Sequence, residues 1–439
     1  MNSYLIIITS LLMILSLFGT KARLTALTLS LFLVFPVIKP LGLRSAIYAP
    51  DLVIATALIP WIIQKQSRDI LNTSSWLKNN LLIIFIWTII TTILGYWRLY
   101  FFKEISYRVP LAGLRMGAIL LSFAIPASMA LSKKEFITIV KILGFSFYIF
   151  LVIAILDYNN LLSFRFFFPV KEIQSQHEEA IYILGGLDRA SIGSLAIIGL
   201  FLSILLTKMR ISFRILNITS IIGFIVLILL SRSRTSFIAL ITFGLCLIIM
   251  QKNDRIKNIF YLFAGLITIY VIITKIPMVT ERLNTLTSLE SAEASSGRVE
   301  GWQKAVNYLW SEPLVILTGV GFDCWQYSLY QNCGLANGHN LYLHIWAELG
   351  LVGGIIYIAF FIRLAIRFFI FMQQKGEASK IGGLTFCLML SLFVWNMTEV
   401  GLYPSITRIN ALHAIMFLLG LMISYLRYLG FENLLAMEK

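Results

Sequence analysis

Charge is scarce in this sequence. Asp, Glu, Lys and Arg together make up 13% of 439 residues, against about a quarter in an ordinary soluble domain. That scarcity excludes a soluble enzyme, a coiled coil and a disordered chain. Four cysteines in such a length exclude a disulfide-rich secreted module. Only four histidines are present, and no HExxH, Cys–His cluster or DxD occurs, so neither a metal site nor a cofactor is expected. The apolar runs do not alternate with polar residues, as Ile221–Leu230 shows, which excludes an outer-membrane barrel. No internal repeat links the two halves, which weighs against an inverted-repeat transporter. The formal charge of +15 brings no basic run interleaved with aromatics, so no nucleic-acid partner is expected and lipid headgroups are the natural counterion.

What the sequence does have is apolar length. Hydrophobic residues form 59% of it and the mean hydropathy is +0.85. Runs fit to be membrane helices lie near 3–18, 24–42, 50–64, 81–97, 111–132, 136–156, 191–207, 215–231, 236–250, 259–276, 345–372, 383–403 and 410–428. A crossing takes roughly 17–25 residues, so an all-α polytopic membrane protein of about 12–14 transmembrane helices is expected, the first three runs being the least regular. Met1–Phe18 has no basic residue ahead of its apolar stretch and reads as a retained helix rather than a signal peptide.

Lys- and Arg-bearing short loops fall at Lys21–Arg23, Lys65–Lys78, Lys133–Lys134, Lys208–Arg214, Lys252–Lys257 and Lys375–Lys380. Alternation through the spans puts all of them on one side, which the positive-inside rule makes cytoplasmic. Leu99–Pro110, Asp157–Ala190, Arg232–Ser236, Pro277–Gly338 and Pro404–Ile409 then face outward. The chain reads as a single membrane domain, 1–439, with one large outer loop, 277–338. Long loops usually carry function, so the chemistry is expected on the outer face. Within the large loop, Ser296 or Gly297 can cap a helix over Arg298–Trp310, with Val299, Trp302, Ala305, Val306 and Leu309 on one face and Pro313 beyond its end. Arg298 falls in its first turn, the wrong end for a cation, and calls for an anionic partner.

Residues able to do chemistry gather at the outer connections. Arg232 and Arg234, with Ser233, Thr235 and Ser236, sit in a short link between apolar runs. They read either as interfacial snorkelling or as an anion site in which planar guanidinium forks and a helix start hold phosphate oxygens. Arg189 ends another outer loop, with a salt bridge to Asp188, Glu178 or Glu179 as its plain alternative. His339-Asn340 opens the stretch running into a membrane helix. There an imidazole can serve as base or phosphate ligand, or simply cap the helix. His344 has apolar company and reads as structural; His177 and His413 suggest no role. Glu348 and Glu399 are acids in or near apolar helices and are functional candidates on that ground. Asn396 and Thr398 can line the same cavity as Glu399. Cys324 and Cys333 can close a short disulfide if their side is oxidising, whereas Cys246 and Cys387 read as apolar filler.

Three segments taken together resemble a known family: LSRSRTSFIAL (Leu230–Leu240), SSGRVEGWQKAVNYLWSEPLVILTGVGFD (Ser295–Asp323) and GHNLYLHIWAELGLVGG (Gly338–Gly354). Their order and spacing are similar to the bacterial O-antigen ligase and O-antigen polymerase superfamily, including its His-Asn, nine residues, Gly-x-x-Gly element, here His339-Asn340, Gly350 and Gly353. The likeness is strong over 215–360. It implies a GT-C-like, metal-independent, inverting glycosyltransferase in the bacterial inner membrane with a periplasmic active site. The implied donor is an undecaprenyl-pyrophosphate-linked polysaccharide, and the acceptor is lipid A–core in a ligase or another lipid-linked glycan in a polymerase. His339, Arg234 and Arg298 are the expected catalytic residues, with Arg189, Arg232, Asn340 and Glu348 expected to bind substrate. The intact His-Asn element favours the ligase. A lipid-glycan transporter or flippase, of another class, would need polar residues at mid-membrane depth.

Overall fold

The computed structural model describes residues 3–33, 36–38, 47–63, 75–100, 102–129, 131–158, 189–211, 214–231, 233–250, 298–329, 334, 338–404 and 409–431. The helices are α1 (Ser3–Ser16), α2 (Thr20–Ser30), α3 (Ala49–Ile63), α4 (Ser75–Arg98), α5 (Phe102–Ser128), α6 (Lys133–Tyr158), α7 (Arg189–Lys208), α8 (Arg214–Leu230), α9 (Arg234–Met250), α10 (Arg298–Ser311), α11 (Pro313–Thr318), α12 (Trp325–Ser328), α13 (Leu341–Met372), α14 (Glu377–Trp395) and α15 (Ile409–Tyr428). One antiparallel pair, β1 (Pro36–Ile38) with β2 (Ile47–Tyr48), completes the described elements. The protein is an all-α polytopic membrane protein. Among the described residues seven helices are long and apolar enough to cross a bilayer, and four shorter apolar helices accompany them. The run at 259–276 lies outside the described residues.

One expected span is corrected. The run 24–42 is not a membrane crossing: α2 stops at Ser30 and β1 begins at Pro36. Eleven residues reach only about 16 Å, half of the hydrocarbon thickness. Hydropathy counts apolar residues and cannot see the chain turn; Pro36 and Pro40 were the available signs of it. Arg23 in α2 is fully buried, its guanidinium pointing at the carbonyls of Ser16 and Phe18 at 3.4 Å, where it finishes the C-terminal end of α1.

The bundle is layered by burial. α7 and α15 are almost wholly enclosed, and α15 lies against α5, α7 and α14. Peripheral helices turn apolar stripes outward, such as Ile83, Ile86, Ile90 and Ile93 of α4, as lipid contact requires. Polar contacts sort the helix ends into two sets. Lys133 pairs with Glu377 at 2.6 Å, and Arg427 donates to the carbonyls of Ala127 and Ser128. At the opposite ends Arg98 donates to Gly319 O at 2.8 Å and Arg108 pairs with Asp323 at 3.0 Å. Lys133–Lys134 and Lys375–Lys380, two of the loops grouped by charge, are thus also brought together by contact.

The helix foreseen at 298–310 is α10. Ala305 and Leu309 are buried, Trp302 and Val306 pack against the same cluster, and Val299 is half exposed. Pro313 does more than end it: it opens α11 at the first helical position, where its missing N–H costs nothing.

Candidate functional site

Besides Arg214, which opens α8, arginine begins three of the described helices: Arg189 opens α7, Arg234 opens α9 and Arg298 opens α10. A cation at that position faces the positive end of the helix dipole, so each start is electropositive twice over. The first two starts are adjacent. A Cβ on Gly193 would lie 1.9 Å from Ser236 Oγ, so only glycine lets α7 and α9 meet one turn past their arginines. Ser233 caps α9, its Oγ accepting from the Ser236 N–H at 3.3 Å. The Arg189 side chain and the whole of Arg232 lie outside the described residues.

The third start joins them through the turn after α14. Thr235, next to Arg234, shares a hydrogen bond of 2.8 Å with Thr398 Oγ1. Arg298 donates to Thr398 O at 3.1 Å, and its other terminal nitrogen lies 3.8 Å from Glu399 Oε1. The anionic partner that Arg298 called for is therefore Glu399. The second oxygen of Glu399 is 3.8 Å from Nδ1 of His339. Arg298 and His339 keep 29% and 25% of their side chains exposed, while Glu399 keeps 7%. The expected catalytic residues Arg298 and His339 thus converge on one carboxylate, and Arg234 enters through its neighbour.

His339 is held in an uncommon backbone state, φ 41, which non-glycine residues adopt only when their surroundings enforce it. Trp302 Nε1 donates to Gly338 O at 2.6 Å, and the Gly338 N–H donates to His344 Nδ1 at 3.2 Å. On the other side Asn340 caps α13: its Oδ1 accepts from Leu343 N at 3.0 Å and its Nδ2 donates to Met397 O at 2.9 Å. Asn340, expected to bind substrate, has its amide engaged in fixing the helix start to the Glu399 turn.

Glu348, expected to bind substrate, is buried. Its carboxylate faces the protein interior, 3% exposed, and accepts from Asp323 N at 3.0 Å, Trp325 N at 3.3 Å and Tyr403 Oη at 3.0 Å. It holds the Gly319–Trp325 loop instead of facing a substrate. Burial and that carboxylate push the Tyr403 hydroxyl well up, so it remains a donor. The two glycines of the His-Asn element explain themselves here. Gly350 has φ 71 inside α13 and breaks its hydrogen-bond ladder. The released carbonyls of Ala347, Glu348 and Leu349 are taken by Val320 N, Gly321 N and Trp87 Nε1, at 2.7, 3.0 and 2.8 Å. A Cβ on Gly353 would meet Trp87 Nε1 at 2.3 Å.

Cys324 is a buried free thiol, pushed well up by burial and by Glu348 and Asp323; Cys333 lies outside the described residues. Among the described residues no group of three His, Cys, Asp or Glu is placed to hold a metal ion. Sequence reading missed a second polar cluster: His413 joins Asp51 at 3.1 Å and Ser122 Oγ at 2.6 Å, all within the bundle. Its members come from α15, α3 and α5, and nothing in their local sequence links them. Between α3, α4 and α5 lies an apolar cavity of about 760 Å³, lined by Asp51, Trp61, Phe85, Val109 and Gly117 among others.

The family model described as O-antigen ligase matches residues 218–358. That segment, about a third of the chain, is similar to the O-antigen ligase family. It runs from α8 to the first half of α13, and so contains Arg234, Arg298, His339 and the Gly350 break, while the Glu399 turn and Arg189 fall outside it. No curated protein matches the chain.

Proposed function

We propose that the protein is an O-antigen ligase of the bacterial inner membrane, moving a polysaccharide from undecaprenyl pyrophosphate to lipid A–core at the periplasmic face. The observation that carries the reading is the convergence of Arg298 and His339 on Glu399, joined to the Arg234 helix start through Thr235 and Thr398. Pyrophosphate is already a good leaving group. The protein has mainly to neutralise the charge that develops on it and to orient the acceptor. Arg234 and Arg298, backed by helix N-termini and joined by Arg189 and Arg232, suit the diphosphate oxygens without a metal.

His339 receives the acceptor hydroxyl's proton as that oxygen bonds to the anomeric carbon and the carbon–oxygen bond to the diphosphate breaks. Single displacement inverts the anomeric centre. Asn340 and Glu348 serve by holding His339 and the neighbouring loop. The cavity between α3, α4 and α5 gives part of the donor's isoprenoid tail an apolar seat: Val109 and Pro110 in its wall follow Arg108, the partner of Asp323. A GT-C-like scaffold, with one membrane domain over 1–439 and the 277–338 loop outward, completes the reading.

Cells carrying Arg234→Ala, Arg298→Ala or His339→Ala at wild-type membrane abundance should lose long chains on lipid A–core and accumulate lipid-linked polymer. Accumulation of single repeat units would instead make the protein a polymerase. Normal glycan in all three variants would remove the catalytic assignment.

A further inference from the structure

Another cavity lies at the far end of the bundle from the Arg298 cluster. α7 starts beside the start of α9 and runs for 20 residues, so it ends at Lys208 about 30 Å away. There a cavity of about 550 Å³ opens between α6, α7 and α8, within the size of small-molecule sites, about 300–1,000 Å³. It extends along α6 from Lys141 to Tyr148, about 10 Å. Beyond Tyr148 the wedge between α6 and α8 closes: a Cβ on Gly223 would lie 2.6 Å from Leu151 Cδ2. α7 forms the back wall, where a Cβ on Gly144 would meet Leu206 Cδ1 at 2.6 Å.

The lining is cationic. Lys141 of α6 and Arg210 of the turn after α7 are both exposed, and no Asp or Glu lines the cavity. No ion pair among the described residues engages either cation. Arg210 holds the left-handed position that ends α7, φ 55: its N–H donates to Thr207 O at 3.1 Å, and the Ile211 N–H donates to Leu206 O at 3.0 Å. Helix ends of this form usually take glycine; this one takes a guanidinium. The first turn of α8 supplies Leu216 and Asn217 to the wall, so the positive end of that helix dipole adjoins the same space. Asn217 is the decisive group. It is 4% exposed and lines the cavity, yet its amide has no hydrogen-bond partner among the described residues. The nearby hydroxyls are already engaged, Ser203 donating to Gly199 O at 2.9 Å and Ser220 to Leu216 O at 2.7 Å. A buried amide left unmet costs stability that a ligand can recover. One flank of the cavity faces lipid: Phe145 lines it and is exposed, with Ile149 of α6 and Ile218 and Ile222 of α8 also turned outward.

We propose that this cavity binds the headgroup of an anionic glycerophospholipid. Lys141 and Arg210 neutralise the phosphodiester, the guanidinium offering its planar fork to the phosphate oxygens. The Asn217 amide donates to the same phosphate and accepts from a headgroup hydroxyl. The acyl chains run out along Phe145 and Ile149 on one side and Ile218 and Ile222 on the other. That apolar flank favours a lipid over a soluble phosphate, which would gain nothing from it. Basic pockets between helices at a membrane face are suited to such headgroups. The bound lipid braces α6 against α8 over the stretch before they meet at Leu151 and Gly223. The site stands whatever reaction the opposite face carries out.

The test titrates the full chain, delipidated in mild detergent, with phosphatidylglycerol and counts bound lipid by native mass spectrometry. Phosphatidylcholine with the same acyl chains and glycerol phosphate are run alongside, and thermal unfolding of each lipid-free variant is recorded. Phosphatidylglycerol should bind about tenfold or more tightly than phosphatidylcholine, and glycerol phosphate should not displace it. Lys141→Gln and Arg210→Gln should each weaken that binding about 5-fold, and together about 30-fold, with unchanged melting. Lys375→Gln, at an exposed lysine outside the cavity, should change nothing. Asn217→Leu should weaken binding without lowering the melting temperature, since it removes an unmet polar group. Equal affinity for the two lipids overturns the proposal, as does wild-type binding in the Lys141→Gln, Arg210→Gln double variant. Displacement of the lipid by glycerol phosphate would make the cavity a soluble phosphate site and overturns it too.

Discussion

Two clusters of ionisable side chains among the described residues are finished differently. Asp51, His413 and Ser122 lie inside the bundle, each 0–2% exposed, joined at 3.1 and 2.6 Å, with Asp51 also accepting from Tyr48 N at 3.0 Å. Arg298, His339 and Glu399 lie at the helix ends, with Arg298 and His339 each 3.8 Å from the carboxylate and about a quarter of each of those two side chains open. The interior cluster closes on itself because an ionic group at membrane depth must be hydrogen-bonded within the protein. It ties α3, α5 and α15 together. The boundary cluster gathers cations at helix starts, where the dipole is already positive. That arrangement costs stability without an anion and gains it when a diphosphate arrives. Buried charge alone therefore does not mark the site; the marks are arginines at helix starts and an opening.

The contrast can be broken at its closed end first. Asp51→Ala should cost about 3–5 kcal/mol, since it strands a buried imidazole, and should show as reduced membrane abundance and a lowered melting temperature. Adding His413→Leu should recover a large part of that loss, because both polar partners then leave together. A variant that melts normally but transfers nothing would move function to this cluster. At the open end Arg298→Ala should behave the other way, with transfer lower by about 10²–10³-fold and melting close to wild type. Equal losses of fold at both ends would erase the distinction.

Smaller effects sharpen it. Trp302→Phe removes the donor to Gly338 O. It should cost about 1 kcal/mol in thermal unfolding and slow transfer by loosening the backbone before His339. Smallest of all, Cys324 should resist N-ethylmaleimide near neutral pH in the folded protein and react once it is denatured. Burial and two nearby carboxylates keep that thiol protonated. Peptide mapping reads the result.

The spanning helices were legible in the sequence because continuous apolar runs leave a chain in lipid no other backbone solution. Arg298 was legible as a cation at the wrong end of a helix, and that misfit correctly demanded an anion. What stayed hidden was long-range. Glu399 follows Arg298 by a hundred residues and His339 by sixty, and no local pattern pairs them. Glu348 shared with Glu399 the one visible property, an acid in apolar company, yet it faces backbone amides inward. The stretch 24–42 was apolar enough to mislead because composition carries no direction. Gly350 and Gly353 were visible as spacing, but their reason is geometric: one breaks a helix to free carbonyls and the other admits an indole.

The most direct measurement is single-cysteine labelling at positions 234 and 339, in a protein whose four native cysteines are replaced, with a membrane-impermeant maleimide applied to spheroplasts. The account predicts that both positions are modified from outside and that undecaprenyl pyrophosphate protects both. Labelling of one position from outside and of the other only after the membrane is opened would put the guanidinium and the imidazole on opposite faces, and no shared site could exist.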